Sequence, residues 1–285
     1  MQPLSPDQLH GIVMAALQED APFGDATTAA LFPDPVSASA VVLAKQHVTV
    51  AGLAVAIQTF REVDAALTMT EHVPDGSTAQ AGAALLTIAG DARSILRAER
   101  VALNFLQHLS GIATLTRAYC DAIRGYPAKI LDTRKTLPGL RALEKWAVSL
   151  GGGTNHRFSL SDGIMVKDNH IALLAQAGLS LAEGCRLARE RAPHRLRMIV
   201  EVDALEQIPM ALDGGADVIL LDNMIPADVR RAVDLIKGRA LVEVSGGITL
   251  ATVRDYAAAG ADFISIGALT HSAPAADISL DLTPA

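Results

Sequence analysis

Four polar residues, Glu201, Asp222, Glu243 and Ser265, recur 21 or 22 residues apart, each in or just after a short apolar run. The runs are Met198–Val200, Val218–Leu221, Leu241-Val242 and Phe263–Ile266, and helical stretches such as Pro226–Lys237 and Leu250–Ala259 lie between them. That period is the length of one strand–helix unit. Strands that are apolar throughout, without polar alternation, belong in a parallel sheet covered on both faces. Two earlier runs, Ile130-Leu131 before Asp132 and Ile164–Val166 before Lys167, extend the series to about six or seven units. This count predicts an α/β barrel, incomplete at seven strands, over an open doubly wound sheet. In such barrels the side chains that act on ligands project from the carboxy-terminal strand ends. Asp132, Lys167, Glu201, Asp222 and Ser245 are therefore expected at one mouth.

The first 110 or so residues follow another rhythm. Ser5-Pro6-Asp7 reads as a helix start, with a capping hydroxyl, a proline suited to the first turn and an acid that complements the dipole. Leu9, Ile12, Val13, Ala16 and Leu17 then share a helical face. Residues 37–50 read as one bent strand or two short ones. A helix over Leu53–Val63, strands near Leu67–Glu71 and Ala83–Ile88, and a turn at Pro74-Asp75-Gly76 follow. This order predicts an α+β sandwich domain over residues 1–112, joined by a strand-like tail within 270–285, with the barrel over 113–269. Residues 94–124 read as a long helix broken at Gly111. Arg100 lies beside its apolar stripe of Leu96 and Leu103, where a pair with Glu99, a snorkelling stem and an anion contact fit equally.

With 285 residues, half of them apolar and 19% charged, the chain has the composition of a folded protein of two domains. No apolar run is long enough to cross a bilayer, and the start of the chain lacks the basic and apolar segments of a secretory leader. Cys120 and Cys185 have no C-x-x-C partner and read as buried residues of a reducing cytoplasm. A net charge of −7 and 4% aromatic residues argue against a nucleic-acid surface, and no membrane partner is expected.

Against that acidic background the cations gather. Thr133, Arg134 and Lys135 follow a strand end; the reading as an anion clamp outweighs that of a solvated loop. Gly151-Gly-Gly-Thr-Asn-His-Arg157 is glycine-rich without the spacing of a Walker loop. Within it His156 reads as a proton shuttle or carboxylate donor, beside the structural role that histidines commonly have. Lys167 adds a further cation. Glu201 and Asp222, on neighbouring strands, fit a magnesium ion, ribose hydroxyls or simple charge balance, and the sequence does not separate these. Ser245-Gly246-Gly247 and Ile266-Gly267-Ala268 close two late strands, where exposed backbone amides suit phosphate.

The motifs Asp132-Thr-Arg-Lys-Thr with Pro138-Gly-Leu-Arg141, Gly151–Arg157 and Lys167-Asp-Asn-His-Ile171 resemble those of the carboxylating nicotinate-nucleotide pyrophosphorylases, the quinolinate phosphoribosyltransferases. Glu99-Arg100 with Ala102-Leu-Asn104 and Leu109–Thr114 matches that family's linking helix, and Glu19-Asp20, Gly24-Asp25 and Thr27-Thr28 its amino-terminal motif. Leu137 departs from the pattern, since members often carry threonine there. The resemblance implies joining of quinolinate to phosphoribosyl pyrophosphate with release of pyrophosphate and CO2, in NAD biosynthesis. It implies Mg2+ on the pyrophosphate, with Glu201 and Asp222 as candidate ligands through that substrate, and no organic cofactor. It also implies a homodimer, or a hexamer of such dimers, whose sites are shared, so that Arg100 serves the neighbouring subunit. On this reading Lys135, Glu201 and Asp222 are catalytic. Arg100, Arg134, His156, Arg157 and Lys167 face the carboxylates, while Lys135 and the late glycine loops take the phosphates. Three alternatives stay open: a relative acting on another pyridine acid or base, including the molybdenum-locus relatives; a Schiff-base aldolase using Lys167 or Lys135; and a non-catalytic phosphoribosyl-binding protein.

Overall fold

The computed structural model describes residues 5–284; the stretch read for a leader begins in residues 1–4, which lie outside the described residues. The chain divides into two compact units. One comprises the residues up to Arg117, Thr136–Gly152 and those from Ala268 on; the other comprises Ala118–Lys135 and Gly153–Gly267.

In the first unit, α1 (Pro6–Asp20) starts as the sequence predicts. The Ser5 hydroxyl accepts the Gln8 amide at 3.3 Å, and the Gln8 side chain accepts the Ser5 amide at 3.2 Å. Two donors that would be left over at the helix start are thereby satisfied. Asp25 caps α2 (Ala26–Leu31) through the Thr28 amide at 3.1 Å. Residues 37–50 form two strands, β1 (Ser37–Ala44) and β2 (Val48–Thr49). The Asp75 carboxylate accepts the first amides of α3 (Leu53–Val63), from Leu53 at 2.9 Å and Ala54 at 3.1 Å, so the Pro74-Asp75-Gly76 turn serves as a cap. β3 (Thr68–Glu71), β4 (Thr78–Ala79) and β5 (Ala84–Asp91) follow. The main sheet is antiparallel, in the order Ile278–Pro284, β1, β5, β3, and β2 pairs with β4. The tail supplies an edge strand, with Ile278 opposite Ala44 and Leu282 opposite Ala40. Ala40, Val42 and Ala44 alternate inward from β1 onto a core of Leu53, Phe60, Ile88, Ile95, Ala102 and Leu106.

α4 (Ala92–Ala122) runs unbroken for 31 residues, which corrects the expected interruption at Gly111. A Cβ at Gly111 would lie 2.1 Å from the Pro274 carbonyl oxygen. Glycine is there because backbone crosses the helix at that point, and the helix continues through it. α5 (Arg141–Leu150), expected within the barrel span, groups with this unit. Its fully buried Glu144 meets His108 of α4 at 2.9 Å, and Gly151 just beyond it would place a Cβ 2.5 Å from the Ala113 carbonyl oxygen.

The second unit holds six parallel strands: β6 (Lys129–Leu131), β7 (Ile164–Val166), β8 (Met198–Val202), β9 (Val218–Asp222), β10 (Leu241–Ser245) and β11 (Phe263–Ser265). Their order is β6-β11-β10-β9-β8-β7. A seventh position is reduced to one parallel bridge between Leu131 and Thr154. His156 follows that bridge at one edge and Lys167 follows β7 at the other, yet both line one cavity. The sheet therefore curls round into an incomplete barrel. Helices α6 (Asp168–Gln176), α7 (Leu181–Arg191), α8 (Ile208–Asp213), α9 (Pro226–Ile236) and α10 (Val253–Ala258) connect successive strands. Ile199, Val218 and Leu220, with Met165 and Leu241, form an apolar cluster within the sheet. Among the described residues no single helix is long and apolar enough to cross a membrane.

Candidate active site

The barrel strands end at a cavity of about 570 Å³. Thr133, Arg134, Lys135, His156, Arg157, Lys167, Glu201, Asp222, Ser245, Gly246 and Gly247 all line it. Eleven of the residues singled out in the sequence thus meet in one place. The register explains why: Ser245 pairs with Asp222 on one side and with Ser265 on the other, so these strands stop at the same level.

The cationic side is crowded. The Lys135 amide donates to the Thr133 hydroxyl at 3.0 Å, a tight turn that starts the Arg134-Lys135 loop. Arg157 donates to the Gly163 carbonyl at 2.9 Å. Burial, and then the charge of Arg134 beside it, push the Arg157 guanidinium below its ordinary value, with Asp162 and Glu201 acting the other way. A half-buried guanidinium beside a second one stands ready for an anion. Lys167 makes a direct ion pair with Glu201. That contact suits an ammonium held as a point charge and disfavours a Schiff-base role.

The opposite wall is built by interlocked loops. Asn223, at φ 56°, donates its amide to the Ser245 carbonyl at 2.8 Å and its side chain to Asp222 at 2.7 Å. Gly246, at φ 100°, packs so close that a Cβ would lie 2.1 Å from the Asn223 side-chain oxygen. Only glycine satisfies both the backbone angle and the contact.

Domain models of the quinolinate phosphoribosyl transferases match the chain twice, the N-terminal domain over residues 25–110 and the C-terminal domain over residues 112–281. The chain belongs to the quinolinate phosphoribosyltransferase family. It is 42% identical over 276 residues to the probable carboxylating nicotinate-nucleotide pyrophosphorylase of Bacillus subtilis, covering 97% of this chain and 94% of that protein. The Mycobacterium leprae carboxylating nicotinate-nucleotide pyrophosphorylase is 42% identical, with 97% and 98% covered. The crystal structure of NadC from Streptococcus pyogenes superposes with a TM-score of 0.93 at 42% identity, covering 99% of each chain.

Within this family framework four residues fall outside the cavity wall. Arg100 is exposed on α4, in the other compact unit. Ile266, Gly267 and Ala268 do not line the cavity. The Ile266 amide donates to the Leu131 carbonyl at 2.9 Å, so the donor expected to face a phosphate is spent in the sheet. Asp132, expected at the mouth, is buried behind it instead, and Glu243 and Ser265 appear without having been assigned a role. Asp132, fully buried, accepts the His156 amide at 2.9 Å and the Asn155 side chain at 2.6 Å, and so shapes the turn that carries His156 and Arg157. Glu243 and Ser265 also line the cavity. Their 21- and 22-residue spacing from the other strand ends was the available signal.

No group of three or more histidine, cysteine or acidic side chains is placed to hold a metal among the described residues. Three carboxylates, Glu201, Asp222 and Glu243, line the cavity, and Glu201 and Asp222 stand at the ends of neighbouring strands. Such a pair fits Mg2+, which is commonly held by one or two carboxylates with waters and substrate phosphate completing its shell.

Proposed function

We propose that the protein transfers the phosphoribosyl group of phosphoribosyl pyrophosphate to quinolinate, giving nicotinate mononucleotide, pyrophosphate and CO2, as a step of NAD biosynthesis. The carrying observation is the gathering of Arg134, Arg157, Lys167 and His156 on one cavity, where burial and the neighbouring Arg134 weaken the charge of the Arg157 guanidinium. A substrate with two adjacent carboxylates relieves that cost.

Arg134, Arg157, Lys167 and His156 are taken to hold the quinolinate carboxylates, and Lys135 with Ser245, Gly246 and Gly247 the phosphates. The pyridine nitrogen attacks C1 of the ribose as pyrophosphate leaves, and positive charge develops on the ring oxygen and C1. Glu201 and Asp222, which line the same cavity, are taken to stabilise that charge electrostatically. The glycosylated nitrogen then draws the electrons of the adjacent carbon–carboxylate bond, CO2 departs and a proton takes its place. Positioning and charge carry the reaction; no covalent nucleophile and no organic cofactor enter this scheme. Mg2+ bound with the pyrophosphate, near Glu201 and Asp222, would neutralise charge on the leaving group.

We further read the working unit as a homodimer in the cytoplasm, with Arg100 acting on the neighbouring subunit's substrate. Support comes from its exposed place on α4 and from a side chain without a hydrogen-bond or ion-pair partner among the described residues. A substrate panel tests the activity. Quinolinate should be consumed with phosphoribosyl pyrophosphate, and nicotinate or nicotinamide, which leave part of the cationic pocket unmatched, should not. Preference for either of those would reject the assignment.

A further inference from the structure

Glu243 lies in the barrel interior, two residues short of the end of β10, with Leu241 in the apolar cluster on one side and Ser245 at the mouth on the other. Its side chain is 2% exposed. A carboxylate at that depth needs partners, and it has them. Ser265 donates its hydroxyl to Glu243 Oε1 at 2.5 Å, and His156 Nε2 lies 3.3 Å from the same oxygen.

The other ring nitrogen is also engaged. His156 Nδ1 accepts the backbone amide of Arg157 at 2.6 Å. An acceptor at Nδ1 requires the proton at Nε2, and that proton points to Glu243. The ring therefore ties a buried acid to the first atom of the residue that carries the substrate-facing guanidinium. The carboxylates whose charges act on Arg157 are Asp162 and Glu201. The route from Glu243 to Arg157 is accordingly the imidazole, and not a direct ion pair.

We propose that Glu243 is a positioning residue for quinolinate: it holds His156 in the Nε2-protonated tautomer, and the ring in turn holds the Arg157 backbone. Asp132 fastens the same turn from the other side through the amide of His156. The geometry makes His156 a strut between two buried carboxylates and the guanidinium-bearing residue, in place of a free proton shuttle. This inference rests on the quinolinate reading for its kinetic part, while its tautomer part stands without it.

The test uses full-length protein labelled with 15N. Two-bond proton–nitrogen spectra separate protonated from bare ring nitrogens, and H156N identifies the His156 signals among the eight histidines. The wild-type protein should show a bare Nδ1 and a protonated Nε2. The Nδ1-protonated tautomer, or protons on both nitrogens, would overturn the proposal without any variant. E243Q keeps the volume but offers either a donor or an acceptor, so it should show mixed tautomers. Its KM for quinolinate should rise on the order of tenfold, as when a carboxylate that orients a metal-binding imidazole is removed, and its KM for phosphoribosyl pyrophosphate should stay put. Wild-type tautomer and unchanged KM values in E243Q, or equal rises for both substrates, refute the positioning role. A protein with the expected tautomer that never consumes quinolinate defeats the substrate reading instead. If E243Q does not fold, the wild-type spectrum still decides.

Discussion

Replacing Gly246 by alanine tests the interlock behind the Ser245–Gly247 wall of the cavity. The residue sits at φ 100°, a backbone angle that costs a non-glycine residue about 1–3 kcal/mol. The new Cβ would also lie 2.1 Å from the Asn223 side-chain oxygen and 2.6 Å from its carbon. Asn223 must swing away and give up its 2.7 Å hydrogen bond to Asp222, a loss of roughly 0.5–1.5 kcal/mol. G246A should therefore destabilise the protein by about 1.5–4.5 kcal/mol, summing the strain and the lost hydrogen bond. Two controls separate the causes. Gly247, at φ 61°, has nothing within 4 Å of a built Cβ, so G247A should carry backbone strain alone. In an N223A background the side-chain clash is gone, while the backbone nitrogen of residue 223 stays 3.0 Å from the new Cβ, and G246A should lose the part of its cost that comes from the Asn223 side chain. Urea unfolding of the four proteins in a double-mutant cycle reads this coupling directly. A neutral G246A, or the same cost with and without the Asn223 side chain, would refute the reasoning.

Other consequences follow from the same geometry. G111A gains about 1 kcal/mol of helix propensity but drives a methyl to 2.1 Å from the Pro274 carbonyl oxygen, so it should lower the melting temperature; a stabilised variant would show that the contact yields. R157A and K167A should weaken quinolinate binding by on the order of 2–5 kcal/mol, with far smaller effects on phosphoribosyl pyrophosphate, as calorimetry with each ligand will show. Excess EDTA should abolish turnover, and undiminished rates in chelator would remove Mg2+ from the scheme. R100A and K167A homodimers should each be nearly inactive, while dissociated and remixed subunits should recover about a quarter of the wild-type site number under random pairing in a two-fold dimer. Verified hybrids without recovered activity would place Arg100 in its own subunit's chemistry.

Much of this architecture is legible in the sequence because it depends on short-range patterns. The spacing of Glu201, Asp222, Glu243 and Ser265 marks strand ends, and apolar runs before them mark a parallel sheet. Ser5-Pro6-Asp7 announces a helix whose cap is then found. What failed depends on contacts between distant residues. Gly111 reads as a break by propensity, and only Pro274, far along the chain, reveals that it is a packing glycine. Ile266 reads as a free amide, and only the pairing of β11 with β6 shows where that amide goes. Glu243 belongs to the strand-end series but lies deeper than its counterparts, because β10 continues two residues to Ser245. A period locates a strand end within a residue or two, which is enough to turn a mouth residue into an interior one. Asp132 was placed at a strand end without a role, since its partners Asn155 and His156 lie beyond an intervening helix.

The central claim is that one cavity couples glycosyl transfer to loss of the carboxylate beside the pyridine nitrogen. The most direct measurement follows CO2 and pyrophosphate together, using quinolinate labelled at that carboxylate, with phosphoribosyl pyrophosphate and Mg2+ supplied. The account predicts labelled CO2 and pyrophosphate in equal amounts, and no CO2 when phosphoribosyl pyrophosphate is left out. Pyrophosphate released with the label retained in the nucleotide, or CO2 formed without the sugar phosphate, would contradict it.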